Sequence, residues 1–506
     1  MGILSRFFPT KAKAPRHTVR GTVRARYDSA QTTPTNKQHW AAADSLSPRA
    51  AITSQVRLTL RNRSRYEIAN NCYAKGIVST LVGYTIGSGP EFGLDYVGED
   101  MDRSEASRVA RLVSRLFWDW WDEAGMPTKL HTCFHAVAGD GEGFLRRYSV
   151  DTDRNALWES PVTLNFQPIE ADYCESQALT LNSDDSGVIV DENGDVKGYY
   201  LYEQHPGDYF TPISMPKPVR RSDIYHVYKS ERPGQLRGVP WLTPALPIFA
   251  NMRRFVLATL GAAEAAANPA GILYTDAPPD SDEDVYATPF EEIQIARSAL
   301  MTLPNTYKMT QFQAEHPNAQ YEAFITACVR EAARCVDMPV VLALDASKYN
   351  YASGRLDLQG FWQARSSERY HLGERQLCNR AYRDWLDEAW LIPGYLPAAF
   401  RRTVKDWVPN WRWREPEHVD RSKEATGQQT ELANHTTTLQ REYARRGLDW
   451  ETELRQRARE IELMKELGIN MAQAMPQGQA QNQNADPSND PAYQEGQTDP
   501  MENAEV

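Results

Sequence analysis

Two carboxylates in GDGEG, Asp140 and Glu142, and the His131, Cys133 and His135 of HTCFH are the side chains with the plainest capacity for chemistry. Paired carboxylates can hold a divalent cation and activate water. The HTCFH trio would converge on one face of a strand, whereas on a helix only His131 and His135 would converge. No fourth ligand stands at a standard spacing, so no metal is expected. The glycines of GDGEG could cradle an anion through backbone N–H groups, but a plain turn is the simpler reading. DENGDV opens like a calcium loop, yet Val196 replaces the turn glycine and Tyr202 stands where a bidentate Glu is needed. The phosphate loop G-x-x-x-x-G-K-[ST], H-E-x-x-H and G-x-S-x-G are all absent. No catalytic residue and no cofactor are predicted. DWVPNWRWRE interleaves Trp411 and Trp413 with Arg412 and Arg414. That pattern suits base stacking on single strands, but it equally gives a strand one aromatic face to bury and one charged face to solvate. Packing is the expectation.

The elements that carry these residues can be read from periodicity. A helical pattern emerges from RLTLRNRSRYEIANN, with Ile68, Cys72, Ile77, Val78, Leu81 and Val82 in near-helical register, and Gly87, Gly89 and Pro90 end it. A second helix is predicted at about 103 to 124, with Val109, Leu112, Val113, Leu116, Phe117 and Trp120 on one side, and helix could continue over 128 to 145. Strands dominate from about 144 to 230. GVIVDENGDVKGYYLY predicts a hairpin with a type I′ turn at Asn193-Gly194, and DIYHVYK another strand. RPGQLRGVPWLTPAL then packs three prolines and two glycines ahead of a helix at about 244 to 267. If Thr243 caps it, Pro247 falls at the fourth position and forfeits a bond, so a start at Pro247 is the alternative. Helix resumes at 320 to 337. A long helical pattern at 355 to 390 would span roughly 50 Å, with Gly360 and Gly373 as points of bending. Charged helical sequence fills 416 to 468, and the remainder has a disordered composition.

At 506 residues the chain has room for two to four structural units. No run reaches the roughly 18 apolar residues of a membrane span. The patch in MGILSRFFPT is too short for a signal peptide, and Arg6 breaks the myristoylation pattern. A soluble chain made in a cytoplasm, with no membrane partner, is expected. Its six cysteines, none in C-x-x-C, predict buried free thiols. The net charge of −11 argues against a surface uniformly adhesive to DNA. Its distribution is uneven. Every charge from Arg6 to Arg26 is basic, whereas no basic residue lies between Arg254 and Arg297, where Asp276, Asp280, Asp282, Glu283, Asp284, Glu291 and Glu292 accumulate. Separate positive and negative surfaces would suit different partners.

Taken in order, RYDSAQTTPTNKQHW, RSRYEIANNCYAKGIVSTLVGYTIGSG, RPGQLRGVPWLTPAL, YNYASGRLDLQGFW and RRGLDWETELRQRAREIELMKELGI resemble the portal proteins of lambda-like tailed bacteriophages. The resemblance runs from about residue 24 to 470 and implies an α+β portal-protein fold. Its implied parts are an extended basic arm (1–55), a wing of helices followed by strands (56–240), and stem helices (241–270 and 320–340) around a clip (271–319). A tunnel loop (341–354), a long wing helix with its following strand (355–415), a helical crown (416–470) and a disordered tail (471–506) complete it. The family's members form rings, usually of twelve copies, at one capsid vertex. Double-stranded DNA enters through the ring during packaging and leaves through it at ejection.

The resemblance further implies partners: the terminase large subunit, the major capsid and scaffold proteins, and the head–tail connector or adaptor. By the same token Arg232 to Pro240 is an elbow into the stem, and the acidic residues from Asp276 to Glu292 belong to the clip. Acids there would repel phosphates and let the duplex slide. Lys348, Tyr349, Asn350 and Tyr351 of LDASKYNYASG would lie in the tunnel loop, within reach of DNA. Two alternatives are a monomeric metal-dependent nucleic-acid enzyme using Asp140 and Glu142, and another minor virion head protein.

Overall fold

The computed structural model describes residues 43–153, 155, 157–175, 186–208, 215–267, 271–275, 307–311, 321–344, 351–415 and 421–469, with 38 and 41. The first long helix, α1 (Ser54–Asn70), starts where Thr53 Oγ1 accepts from Val56 N at 3.4 Å. Its buried residues are polar: Arg57, Arg61, Ser64 and Glu67. Asn71, with φ −121°, ends α1, and its Oδ1 accepts from Tyr73 N at 3.0 Å to start α2 (Cys72–Thr85). The single pattern expected from Ile68 onward is therefore two helices, and Cys72 at the joint is exposed. Gly87 and Gly89, at φ +54° and +92°, end α2 as the sequence suggests.

Strand β1 (Glu91–Tyr96) leads to α3 (Arg103–Glu123), capped by Asp102, whose Oδ2 accepts from Ser104 N at 3.1 Å. Its buried stripe is Ala106, Val109, Val113, Phe117, Trp120 and Trp121, while Leu112 lies off it and is 48% exposed. After Gly125, α4 (Met126–Asp140) places HTCFH on a helix, with Cys133 buried and His131 exposed. Of the six free cysteines only Cys133, Cys174 and Cys378 are fully buried.

Gly141 stops α4 at φ +92°, so GDGEG is not a separate turn but the end of a helix, one joining residue and the start of β2 (Glu142–Ser149). It pairs antiparallel with β3 (Leu164–Ile169) on one side and β7 (Ile224–Tyr228) on the other. A second sheet joins β4 (Val188–Val190), β5 (Val196–Leu201) and β6 (Lys217–Arg220). The β4–β5 hairpin is not type I′, which needs positive φ at both central residues. Gly194 has φ +86° but Asn193 is not in the left-handed region. Asp191 Oδ1 accepts from Asn193 N at 3.0 Å and Asp195 N at 2.8 Å, and that local bonding selects a longer loop with glycine alone left-handed.

Helix α5 (Leu246–Ala267), strands β8 (Gly271–Thr275) and β9 (Tyr307–Gln311), paired antiparallel, and α6 (Tyr321–Arg334) follow. The long helix is continuous in path: α7 (Tyr351–Glu368), a π segment (Arg369–Cys378), then α8 (Asn379–Leu391). Neither Gly360 nor Gly373 interrupts it. A Cβ on Gly373 would lie 3.1 Å from Trp413 Cζ2, so this glycine admits an indole against the helix.

Strand β10 (Trp407–Arg412) pairs with β1, matching Phe92 with Trp411. Trp407, Trp411 and Trp413 are all buried, which bears out packing over base stacking. Around Phe92 lie Phe117, Trp411 and Tyr382, with ring centroids 4.3, 4.9 and 5.0 Å away. Helices α9 (Arg421–Ala433), α10 (Leu439–Arg445) and α11 (Trp450–Glu466) close the described chain. Among the described residues, no helix is long and apolar enough to cross a membrane.

Candidate functional site

The glycine- and proline-rich elbow encloses a buried guanidinium. Gly234, at φ +80°, turns the chain, and Gln235 Oε1 accepts from Glu231 N at 2.9 Å while its Nε2 donates to Arg237 O at 2.8 Å. Arg237 then enters the protein. Its Nε donates to both Glu142 oxygens at 3.0 and 2.8 Å, and its Nη2 to Oε1 at 2.6 Å. Nη1 donates to the carbonyls of Cys174 and Ser186 at 2.8 and 2.5 Å. Both side chains of the Arg237–Glu142 pair are fully shielded from solvent.

The glycines are there because two backbones touch. A Cβ on Gly238 would fall 1.9 Å from Gly141 O, and one on Gly141 2.2 Å from the carbonyl carbon of Val239. Gly238 N also donates to Glu142 Oε2 at 3.0 Å. Farther along, Trp241 N donates to Ala138 O at 3.1 Å, pinning the elbow to α4. Thr243 does not cap the next helix. Its hydroxyl donates to Pro240 O at 2.6 Å, a 3₁₀ turn covers Thr243–Ala245, and α5 starts at Leu246. Pro247 thus sits in the first turn, where its missing N–H has no partner to lose.

A second tier of charge surrounds this pair. Arg61, on the polar face of α1, reaches Asp172 at 3.1 Å, Glu175 at 3.6 Å and Glu142 at 3.8 Å. Arg65 bonds both Asp140 oxygens at 2.8 and 2.6 Å and Asp172 Oδ2 at 2.7 Å. His226 Nε2 lies 3.0 Å from Glu142 Oε2, its ring stacked on Phe144 at 4.2 Å. Burial alone would raise the Glu142 carboxyl, but Arg237 and His226 hold it well below the usual range. Burial lowers His226 against the pull of Glu142, which keeps the imidazole neutral near pH 7.

The cluster does not fit a metal. Glu170, Asp172 and His205 bring ligand atoms within 4.8 Å of one another. Arg65 Nη2, 2.7 Å from Asp172 and 3.3 Å from Glu170, already serves as their cation. Asp140 and Glu142, the carboxylates considered for a metal-dependent enzyme, are likewise each engaged by an arginine.

The elbow aims α5 at α6. Phe255 meets Phe324 at 4.2 Å and Tyr321 at 5.7 Å, at the start of α6, while the end of α6 nears the 243–245 turn, so the two helices run antiparallel. Arg253 Nη2 pairs with Glu67 Oε2 at 2.5 Å and ties α5 to α1. Leu257 and Leu260 stay on the surface, 61% and 55% exposed. Asp276, Asp280, Asp282, Glu283, Asp284, Glu291, Glu292, Lys348, Tyr349 and Asn350 lie outside the described residues, and Tyr351 opens α7.

The cluster of Arg61, Arg65, Asp172, His226 and Arg237 went unseen in the sequence. Its one trace was in α1, where Arg57, Arg61 and Ser64 recur at helical spacing on a face with few apolar residues.

The family profile described as phage portal protein, lambda family, matches residues 33–369. The chain belongs to this family. Its function is that of a portal protein, at the portal vertex. The matched span takes in the elbow, the charge cluster, α5 and α6, and ends at Arg369. No curated protein matches the chain. Among solved structures it is similar to a chain in the neck of a native gene transfer agent particle, computed with C12 symmetry. That similarity has 14% identity, a TM-score of 0.40, and covers 76% of this chain and 90% of the other. A chain in the neck of the empty particle, computed with C6 symmetry, gives 15%, 0.42, 78% and 93%. An HK97-family phage portal protein from Corynebacterium diphtheriae gives 13%, 0.27, 60% and 83%.

Proposed function

We propose that copies of this chain close into a ring, of twelve in the virion, around a channel through which double-stranded DNA is packaged and later ejected. The observation that carries this reading is the portal-family match over residues 33–369. The geometry supports it in one particular. An elbow fixed by a buried ion pair sets the direction of the α5–α6 pair, and that pair keeps Leu257, Leu260 and Phe324 exposed as apolar surface for a neighbouring copy. In this reading α5 and α6 are stem helices, and the acidic run from Asp276 to Glu292 follows β8 as the clip. Negative charge there repels the duplex backbone, so the DNA slides instead of binding. The ring takes part in no bond-making step. Terminase, capsid and scaffold proteins, and the tail connector are its partners, and the portal vertex of the virion is its place.

Particle images of the purified protein test the reading. Rings with a central hole are expected, and a persistent monomer under assembly conditions overturns it. A D282N/E283Q/D284N variant should still form rings but package less DNA. A normal packaging yield removes the acidic run from the mechanism.

A further inference from the structure

The histidines of HTCFH are metal-ligand side chains that the elbow does not use. The structure puts the whole segment on α4, and that decides which of its side chains share a face. Residues four apart on a helix are neighbours, with Cβ atoms about 5–6 Å apart, whereas residues two apart do not face each other. His131 and His135 therefore stand one above the other, while Cys133 is turned into the core. His131 is exposed and His135 half-buried. None of the chain's other histidines has a partner at this spacing.

The two rings are uncommitted. Among the described residues neither imidazole makes a hydrogen bond or an ion pair. Burial lowers His135, and the closeness of His131 lowers it further, which favours the neutral ring that ligates metals. The rest of the segment's surroundings supply no third ligand. Burial pushes the Cys133 thiol up to about 12, so it stays protonated and offers no thiolate. Asp140, at the end of the same helix, is held through both oxygens by Arg65.

Two histidines one turn apart on a helix face are the spacing at which H-E-x-x-H helices hold zinc. Metal–nitrogen bonds of about 2.0–2.1 Å close a chelate across it. We propose that His131 and His135 together chelate one divalent transition ion of the zinc, nickel and copper class, with water filling its remaining positions. Magnesium and calcium, which take oxygen ligands, do not fit. With two protein ligands the ion exchanges with solution, unlike a closed four-ligand structural centre. A bound ion staples one turn of α4, the helix to which Trp241 N fixes the elbow, and stabilises the folded chain more as its concentration rises. The inference stands apart from the portal reading.

The test is isothermal titration of the full chain with Ni²⁺ alone in a buffer that does not bind metal. Binding is expected, with a urea midpoint that rises as Ni²⁺ is added. Losing even an outer-shell partner of a metal ligand costs about 10–100-fold in affinity, so His131→Ala and His135→Ala should each weaken binding by at least about tenfold. His371→Ala, at an exposed histidine of the π segment, should leave it unchanged. Thr128→His combined with His135→Ala rebuilds a pair on one face, three residues apart, and should recover binding. Thr132→His combined with His135→Ala sets the rings side by side in sequence, off a common face, and should not. No binding by the unaltered chain, full affinity in H131A, or equal affinity in the two threonine variants overturns the proposal. So does Mg²⁺ binding at the same site with the affinity of Ni²⁺.

Discussion

Replacing Arg237 by Met removes the positive half of a fully buried pair and keeps most of the side-chain volume. The change leaves Glu142 charged at a position with no solvent access, and strips hydrogen bonds from the carbonyls of Cys174 and Ser186. Breaking a buried pair from one side costs about 3–5 kcal/mol, and a buried acceptor left bare costs about 1–3 kcal/mol more. Glu142 keeps His226 and the Gly238 amide, so the low end of the combined range applies and the expected loss is about 4 kcal/mol. That is roughly a thousandfold in the folding equilibrium. Urea unfolding followed by tryptophan fluorescence reads the global value. Hydrogen exchange at the Gly238 amide reads the local one and should speed up by roughly a hundredfold or more. The R237M/E142L pair should lose less than the sum of the two single changes by about 2 kcal/mol, because the second substitution removes the stranded charge. A loss under about 1 kcal/mol in R237M, with Gly238 exchange unchanged, would refute the view that this pair fixes the elbow.

Gly238→Ala should destabilise at least as strongly, by more than about 3 kcal/mol, because its Cβ would fall 1.9 Å from Gly141 O; an unshifted urea midpoint contradicts the close approach. Folded His226 binds its proton less readily than the unfolded chain does, so its contribution is whole above about pH 6.5 and falls as pH drops below that value. Glu142, held low, contributes above the ordinary carboxylate range and loses that contribution under stronger acid. The urea midpoint should therefore fall from pH 7.5 to 5.5, and His226→Gln should flatten that fall; an identical pH profile in the variant rules out His226 as its source. Trp411→Ala opens the space between Phe92, Phe117 and Trp121 and should cost about 3–5 kcal/mol by denaturation; an unshifted urea midpoint contradicts the packing.

Periodicity revealed α3, α5, α6 and the long helix through Trp385, because an amphipathic stripe is written directly in residue order. It also favoured packing for Trp411 and Trp413. It joined α1 to α2, since Asn71 breaks the helix by its backbone angle while keeping the apolar spacing of its neighbours. Asn193-Gly194 suggested a tight turn, but Asp191 offered its own carboxylate to the loop amides and a longer turn won. Gly373, suggested as a point of bending, lies within the π segment and also seats Trp413, a contact residue order did not show.

What the order of residues determined alone was the family, the helical segments and the separation of acidic from basic stretches, all of which are local or linear properties. Only the tertiary structure decided that Asp140 and Glu142 are each held by an arginine, because their partners Arg65 and Arg237 lie 75 and 95 residues away in the chain. A carboxylate's chemistry depends on which charge meets it and how much water is excluded, and folding alone brings those together.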